Sequence, residues 1–212
     1  MILSEIFYSI QGEGMLAGTP AAFLCLAGGA PRQTWLHPPQ QRWKPEPEED
    51  VFLGPLLAKV RRQWYGHAVI SGGEPLEDTE LGSLTSGLRR IGNHVTIETS
   101  GSATATVTCD LMSINVSLRN PSVPRKPKEP QWPDYSVDAI RQLLRDYDYQ
   151  LKFNLSDRSE MEEVVNLVRE VDAERHKVLL MPAGPKAKDL KQQREWMIEA
   201  SFFFGYRFAP RP

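Results

Sequence analysis

Short apolar segments rich in β-branched residues punctuate the chain at 22–26, 67–70, 94–97, 111–116, 149–153 and 177–181. Each has the length of a buried strand rather than of a helix. Between them the apolar period lengthens to that of an amphipathic helix. Pro55 suits the first turn of a helix over 54–64. Leu81, Leu84, Leu88 and Ile91 share one helical face, with Asp78 placed to cap it. Ser136 is a capping residue ahead of Val137, Ile140, Leu143, Leu144 and Tyr147. Ser159 and Glu162 have capping-box spacing around a stripe of Met161, Val164, Val165, Val168 and Val171. A final helix is expected near 188–203. The 99–110 connection is too small for one.

Strands alternating with helices predict a parallel sheet joined by right-handed crossovers. Six units are too few for a closed eight-stranded barrel. The expected fold is therefore α/β, a small single domain forming an open sheet or a partial (β/α)6 barrel. Ligands in either arrangement meet the loops at the carboxyl ends of the strands, and the informative loops are expected there. Two long connections break the pattern. Residues 28–50 contain five prolines and little apolar periodicity. In 120–135, Pro121, Pro124, Pro127, Pro130 and Pro133 recur every third residue. That is the period of a polyproline II helix, so a stiff, exposed surface loop is expected, with a peptide ligand for an SH3-like domain as the lesser alternative.

The 212 residues carry a formal net charge of −2 and a pI near 6.1. This balance gives no general drive toward nucleic acid or an anionic membrane. No apolar run reaches membrane-spanning length, and Met1–Glu5 lack the basic flank and apolar stretch of a signal peptide. A cytoplasmic protein is expected. Cys25 and Cys109 are the two cysteines, neither in a C-x-x-C pair. They read as small, buried, reduced thiols. His37, His67, His94 and His176 show no metal-ligand spacing.

Three loops carry candidate chemistry. In Tyr8-Ser9-Ile10-Gln11-Gly12-Glu13-Gly14, two glycines bracket a carboxylate, with a carboxamide two residues earlier. Such a turn can present Gln11 and Glu13 to a flat, amide-rich heterocycle, although a plain hairpin turn reads the same way. Ser71-Gly72-Gly73-Glu74-Pro75 follows the second segment. Its glycines allow close backbone approach, and Glu74 suits an ammonium group. It is neither a Walker loop nor a dinucleotide fingerprint. Glu98-Thr99-Ser100-Gly101 adds a second carboxylate and hydroxyls at the end of the third segment.

Together and in this order, these loops resemble 7-carboxy-7-deazaguanine synthase, a radical S-adenosylmethionine (SAM) family of queuosine and 7-deazapurine biosynthesis. Further matches are Glu5-Ile6-Phe7, Gly18, Pro20, Ala22-Phe23, Ala27-Gly28, Tyr149-Gln150-Leu151-Lys152-Phe153 and Leu179-Leu180-Met181-Pro182. The resemblance implies a partial barrel of the radical SAM type. It implies contacts from Ile10, Gln11, Gly12 and Ser71 to a pterin-like substrate, with Glu13 in the same pocket. It also implies that Gly72, Gly73, Glu74, Glu98 and Ser100 surround SAM.

The pattern fails where the cluster should bind. The family's three cysteine positions read Gly29, Gln33 and Leu36, and its magnesium-binding Thr reads Pro38. None of these replacements supplies a thiolate, and a [4Fe–4S] cluster of this type needs three. The family's substrate-binding Arg aligns with Cys25, and its Ser-Pro-Lys segment with Asn115-Val116-Ser117. The chain also stops at Pro210-Arg211-Pro212, where relatives continue through a further apolar stretch. The expectation is a degenerate member, a pseudoenzyme without a cluster or bound metal, that binds a SAM- or pterin-like small molecule, SAM only weakly. The alternatives are cluster-free chemistry with Glu13, Glu74 or Glu98 as acid or base, and an interaction module. A homodimer, or a heterodimer with an intact relative, is the partner expectation; nucleic acid and membrane are not.

Overall fold

A computed structural model describes residues 3–27, 41–43, 52–63, 66–118, 135–183 and 187–210. Gly29, Gln33, Leu36, Pro38 and the proline-spaced segment lie outside these residues. Strands β1 (Leu3–Ile10), β2 (Pro20–Leu26), β3 (Gln41–Trp43), β4 (His67–Ser71), β5 (His94–Thr99), β6 (Leu111–Val116), β7 (Tyr149–Leu155), β8 (Val178–Pro182) and β9 (Arg207–Phe208) form one sheet. Its order is β3-β1-β2-β4-β5-β6-β7-β8-β9. From β2 onward in that order, every pairing is parallel. Helices α1 (Leu53–Gln63), α2 (Leu81–Arg90), α3 (Val137–Asp146), α4 (Met161–Glu170) and α5 (Ala187–Phe204) supply the crossovers. The result is the small α/β domain that the alternating segments predict. Among the described residues, no helix is long and apolar enough to cross a membrane.

Three strands were not legible as strands. β1 pairs antiparallel with β2 from Leu3↔Leu26 to Ile10↔Pro20, with a bulge between Leu3 and Glu5. The bulge and the Ile6-Phe7-Tyr8 run blur the two-residue alternation there. β3 lies inside the expected 28–50 loop and pairs with β1. β9 is a two-residue edge beside β8.

Two caps also differ. Asp78 Oδ1 accepts from the Glu80 amide ahead of α2, while the residue that caps α2, Glu80, makes no side-chain capping bond. The capping box before α4 is Asp157 with Glu160, rather than Ser159 with Glu162. Asp157 stands where a 3₁₀ turn precedes the helix, two residues before the serine. Ser136 does cap α3, its Oγ accepting from the Ala139 amide.

The sheet separates two environments. One face carries Leu24, Leu26, Ala68, Ile70, Val95, Ile97, Met112, Ile114, Leu151, Phe153, Val178 and Leu180, buried against the helices. Leu84 and Leu88 of α2, Ile140 and Leu143 of α3, and Val164, Leu167 and Val168 of α4 complete this layer. Leu167, rather than the expected Val165, takes the deep position in α4. Burying such side chains contributes about 1.5–3 kcal/mol each before conformational entropy is set against it. The alternate residues face the other way, and there the strands turn polar.

Candidate functional site

Sheet register sets polar residues side by side across the inner face. Glu5 pairs with Cys25 and Cys25 with Ser71. Ile70 pairs with Ile97, so Ser71 stands beside Glu98. Glu98 pairs with Ser113, and Ser113 with Gln150. A continuous polar row thus crosses six strands. A second level adds Asn115 beside Lys152. Below the row lies Phe7 stacked on Phe23 with centroids 4.9 Å apart, alongside Val69 and Thr96. Sheets covered by helices normally carry apolar residues on both faces. A buried polar row needs partners, and a ligand-lined lumen is one way to supply them.

The turn joining β1 to β2 closes over this face. β2 and β7 are four strands apart, roughly 19 Å in a flat sheet. Yet the Met15 amide donates to Gln150 Oε1 at 2.8 Å, and the same carboxamide donates through Nε2 to Ser113 Oγ at 2.8 Å. A strongly curved sheet, as in a partial barrel, brings these groups within reach of each other. Gly14 has φ +81°, and a Cβ there would lie 2.5 Å from the Gln150 carboxamide. Lys152, with 0% side-chain exposure, sets its Nζ 3.6 Å from Glu13 Oε2 and 3.5 Å from Glu98 Oε1. One buried ammonium therefore joins the turn's carboxylate to that of β5.

The three expected loops do not share a rim. Because β1 runs against β2, the turn carrying Gln11, Gly12 and Glu13 lies at the amino end of the parallel strands. The Gly72-Gly73-Glu74 and Thr99-Ser100 loops lie at the carboxyl end. Gln11 is buried, and its backbone bonds both ways to the far side of the turn, through Thr19 and Gly18. Glu13 reaches the lumen. Ile10 shares the strand alternation of Ile6 and Tyr8, which pack against the helices, and it is 41% exposed. Ser71 is buried with its Oγ 3.5 Å from Cys25 Sγ.

At the carboxyl end, Glu74 turns toward the protein. Its oxygens accept from Thr99 Oγ1 at 2.7 Å, Ser100 Oγ at 2.7 Å, the Ser100 amide at 2.9 Å and the Leu76 amide at 3.2 Å. The two loops are thereby tied together, and Ser100 is one of the ties. Gly72 has φ +89°, and a Cβ there would lie 2.5 Å from the Leu26 carbonyl oxygen. Its missing side chain serves the approach of β4 to β2. Gly73 also has positive φ, +52°. Glu98 belongs to the lumen row below them.

The thiols stand at opposite ends of the sheet. Cys25 is near the carboxyl end of β2, and Cys109 just precedes the amino end of β6. Burial, reinforced by Asp110, pushes the Cys109 thiol up to about 12. His67 and His94 open β4 and β5 with rings 5.0 Å apart, and His67 Nε2 lies 2.9 Å from Thr96 Oγ1. Burial, with His94 alongside, lowers His67 to about 4.

Sequence reasoning missed Gln150 and Lys152 as site residues. Their signal was present: in Tyr149-Gln150-Leu151-Lys152-Phe153, polar residues alternate with apolar ones inside a strand flanked by crossover helices. That pattern demands a polar inner face.

Fold and lining together define a single-domain partial α/β barrel with a polar lumen. The chain is 32% identical over 220 residues to the 7-carboxy-7-deazaguanine synthase of Rhodopirellula baltica, an alignment spanning 100% of this chain and 84% of that one. It is 31% identical to the synthase of Halobacterium salinarum, across 99% of this chain and 87% of the relative. The chain belongs to the 7-carboxy-7-deazaguanine synthase family. QueE from Escherichia coli has the same fold, with a TM-score of 0.66 at 22% identity, over 99% of this chain and 92% of that one. Streptococcus suis SuiB shares the fold more loosely, with a TM-score of 0.52 at 11% identity over 78% of this chain and 44% of its own. No family model matches the chain.

Proposed function

We propose that this family member binds a small polar ligand in its lumen without a [4Fe–4S] cluster, as a non-radical binding or regulatory protein linked to 7-deazapurine (queuosine) metabolism. The carrying observation is the contrast between the donor set and the lumen. A cluster of the radical type needs three thiolates around one site. The chain has two cysteines, Cys25 and Cys109, and they stand at opposite ends of the sheet. The residues present do not fit the cluster. The lumen, by contrast, keeps Glu98, Ser113, Gln150 and Lys152 buried, with Lys152 reaching Glu13 and Gln150 reaching Met15 of the β1–β2 turn.

The lumen favours a flat, amide-rich heterocycle of the pterin kind over SAM. Glu13 and Glu98 can accept from ring N–H and amino groups, and Phe7 with Phe23 offers an apolar floor. The groups assigned to SAM by resemblance are largely engaged: Glu74 and Ser100 bond each other, and Gly72 packs on Leu26. SAM would also lack the iron that anchors its amino and carboxylate groups. Cluster-free chemistry is the second reading, because Glu13 and Glu98 set two carboxylates within reach of one lumen site, both held by the Lys152 ammonium.

The test pairs two measurements on the full chain. Anaerobic reconstitution with iron and sulfide is expected to leave no stoichiometric iron. Calorimetric titration with pterin is expected to show saturable binding, with SAM in the range of hundreds of micromolar or poorer. One cluster per chain overturns the non-radical reading, and absence of binding by either compound overturns the ligand reading.

A further inference from the structure

We infer that Gln150 and Lys152, alternate residues of β7, are positioning residues that clasp the β1–β2 turn from across the lumen and so set where Gln11, Gly12 and Glu13 stand. The functional part of this inference rests on the ligand-binding reading above; the clasp itself does not. Three observations converge on one strand. The Gln150 carboxamide, 1% exposed, takes the Met15 amide and is itself oriented by Ser113. Gly14 leaves the space that this carboxamide fills. Lys152 draws in Glu13 while holding Glu98.

The turn has its own backbone bonds, from the Gln11 amide to Thr19 O and from the Gly18 amide to Gln11 O at its neck, and from the Ala17 amide to Gly14 O and the Thr19 amide to Leu16 O on its returning side. These shape the 14–19 segment. They do not engage the Met15 amide or the Glu13 side chain, which instead meet β7. A nine-residue turn held only by its own backbone bonds would sample many positions of Glu13. Held at its tip as well, it forms a fixed wall at the amino end of the lumen. A ligand then enters from the carboxyl rim and finds Glu13 already placed, which lowers the ordering cost of binding. In this arrangement β7 decides the position of residues more than 130 positions earlier in the chain, without β7 itself needing to touch the ligand.

The test is amide hydrogen exchange on the unliganded full chain, comparing the turn with strands β4, β5 and β6. Gln150→Leu and Lys152→Met are each expected to speed exchange in residues 12–17 by about tenfold or more, while the three strands change by less than about twofold. Gln150→Glu keeps an acceptor for the Met15 amide and should stay near the wild-type rate. If Lys152→Met loosens the whole sheet, the Gln150 pair of variants carries the comparison. Turn exchange that stays unchanged in Gln150→Leu, or that rises only in step with the three strands, overturns the clasp. So does Gln150→Glu exchanging as fast as Gln150→Leu. Because no ligand is present, a failure of pterin to bind the wild type removes the ligand reading and leaves the clasp standing.

Discussion

Replacing Glu74 with alanine should destabilise the protein in the absence of any ligand. A carboxylate kept for a ligand's ammonium would be unpaired in the free protein, and truncating it would change stability by less than about 0.5 kcal/mol. Glu74 is placed differently. Thr99 Oγ1 and the Ser100 amide lie 2.7 and 2.9 Å from its oxygens, and the Leu76 amide 3.2 Å away. The Ser100 hydroxyl adds a fourth donor at 2.7 Å, although it can also turn to Ser102 Oγ at 3.0 Å. Hydrogen bonds to a charged group contribute about 1.5–3 kcal/mol each when isolated. They are not additive here, because five donors, with Ser102 Oγ at 3.3 Å the fifth, share two oxygens and water reaches a partly exposed site. A loss of about 3 kcal/mol is the working figure. For a chain of 212 residues, each kcal/mol moves Tm by about 2–4 °C, so the expected fall is about 6–12 °C. Glu74→Gln should fall between wild type and alanine, since it keeps one acceptor oxygen and turns an amide toward hydroxyls that can reorient. Thermal unfolding by circular dichroism, without ligand, measures both. A drop below about 2 °C in Glu74→Ala would refute the latch and return Glu74 to the free ligand group that the sequence suggests.

Two further outcomes follow from the amino end of the sheet. The His67 pKa is lowered to about 4 in the folded protein, against about 6.5 unfolded. The unfolded chain therefore binds the proton first, so the contribution is complete above about pH 6.5 and is lost as pH falls toward 4, a total of about 3 kcal/mol. Urea midpoints at pH 7 and pH 4.5 should differ clearly more in wild type than in His67→Gln; equal differences would discard this assignment. With its thiol held near 12 by burial, Cys109 in a Cys25→Ser background should be alkylated at pH 8 by iodoacetamide at least about a hundredfold more slowly than a small free thiol, because thiolate is the reacting form. Labelling at the rate of the free thiol would contradict the raised pKa of this half-buried thiol.

The parallel strands were legible because burial on the helix side leaves a plain signature. In 94–97 and 111–116, for example, Val95, Ile97, Met112 and Ile114 are the side chains that the helices cover. β1 was not, because its register depends on a bulge and on β2, which no local pattern reports. That strand also decided the geometry of the site. Its antiparallel direction moves Gln11–Glu13 to the amino end of the lumen, away from the rim of Glu74 and Ser100. The local chemistry of the turn was readable, but its location was not, since location followed from a pairing between residues distant in sequence. Gln150 and Lys152 were overlooked for a related reason. Their partners Met15, Ser113, Glu13 and Glu98 come from other strands and turns, so the residues become a group only once the sheet curves.

The loops that advertise the family most strongly are also those with the clearest reasons to persist without SAM. Gly72 is required by the Leu26 carbonyl, and Gly101 by Ile140 and Ile114, whose side chains would crowd an added Cβ at 2.7 and 3.1 Å. Glu74 is required by Thr99 and Ser100. A chain could lose every contact to SAM and still keep these residues, because removing any of them would cost packing or leave donors without acceptors. Their presence therefore weighs little on the question of what binds. The lumen row weighs more. Ser113, Gln150, Lys152 and Glu98 occupy positions where apolar residues would pack a sheet face at no desolvation cost, and replacing buried ion pairs by packed apolar groups is often neutral or stabilising. The buried ammonium between two carboxylates therefore has two things to serve, the position of the turn and the proposed ligand, and it bears on that proposal more directly than the glycine loops do.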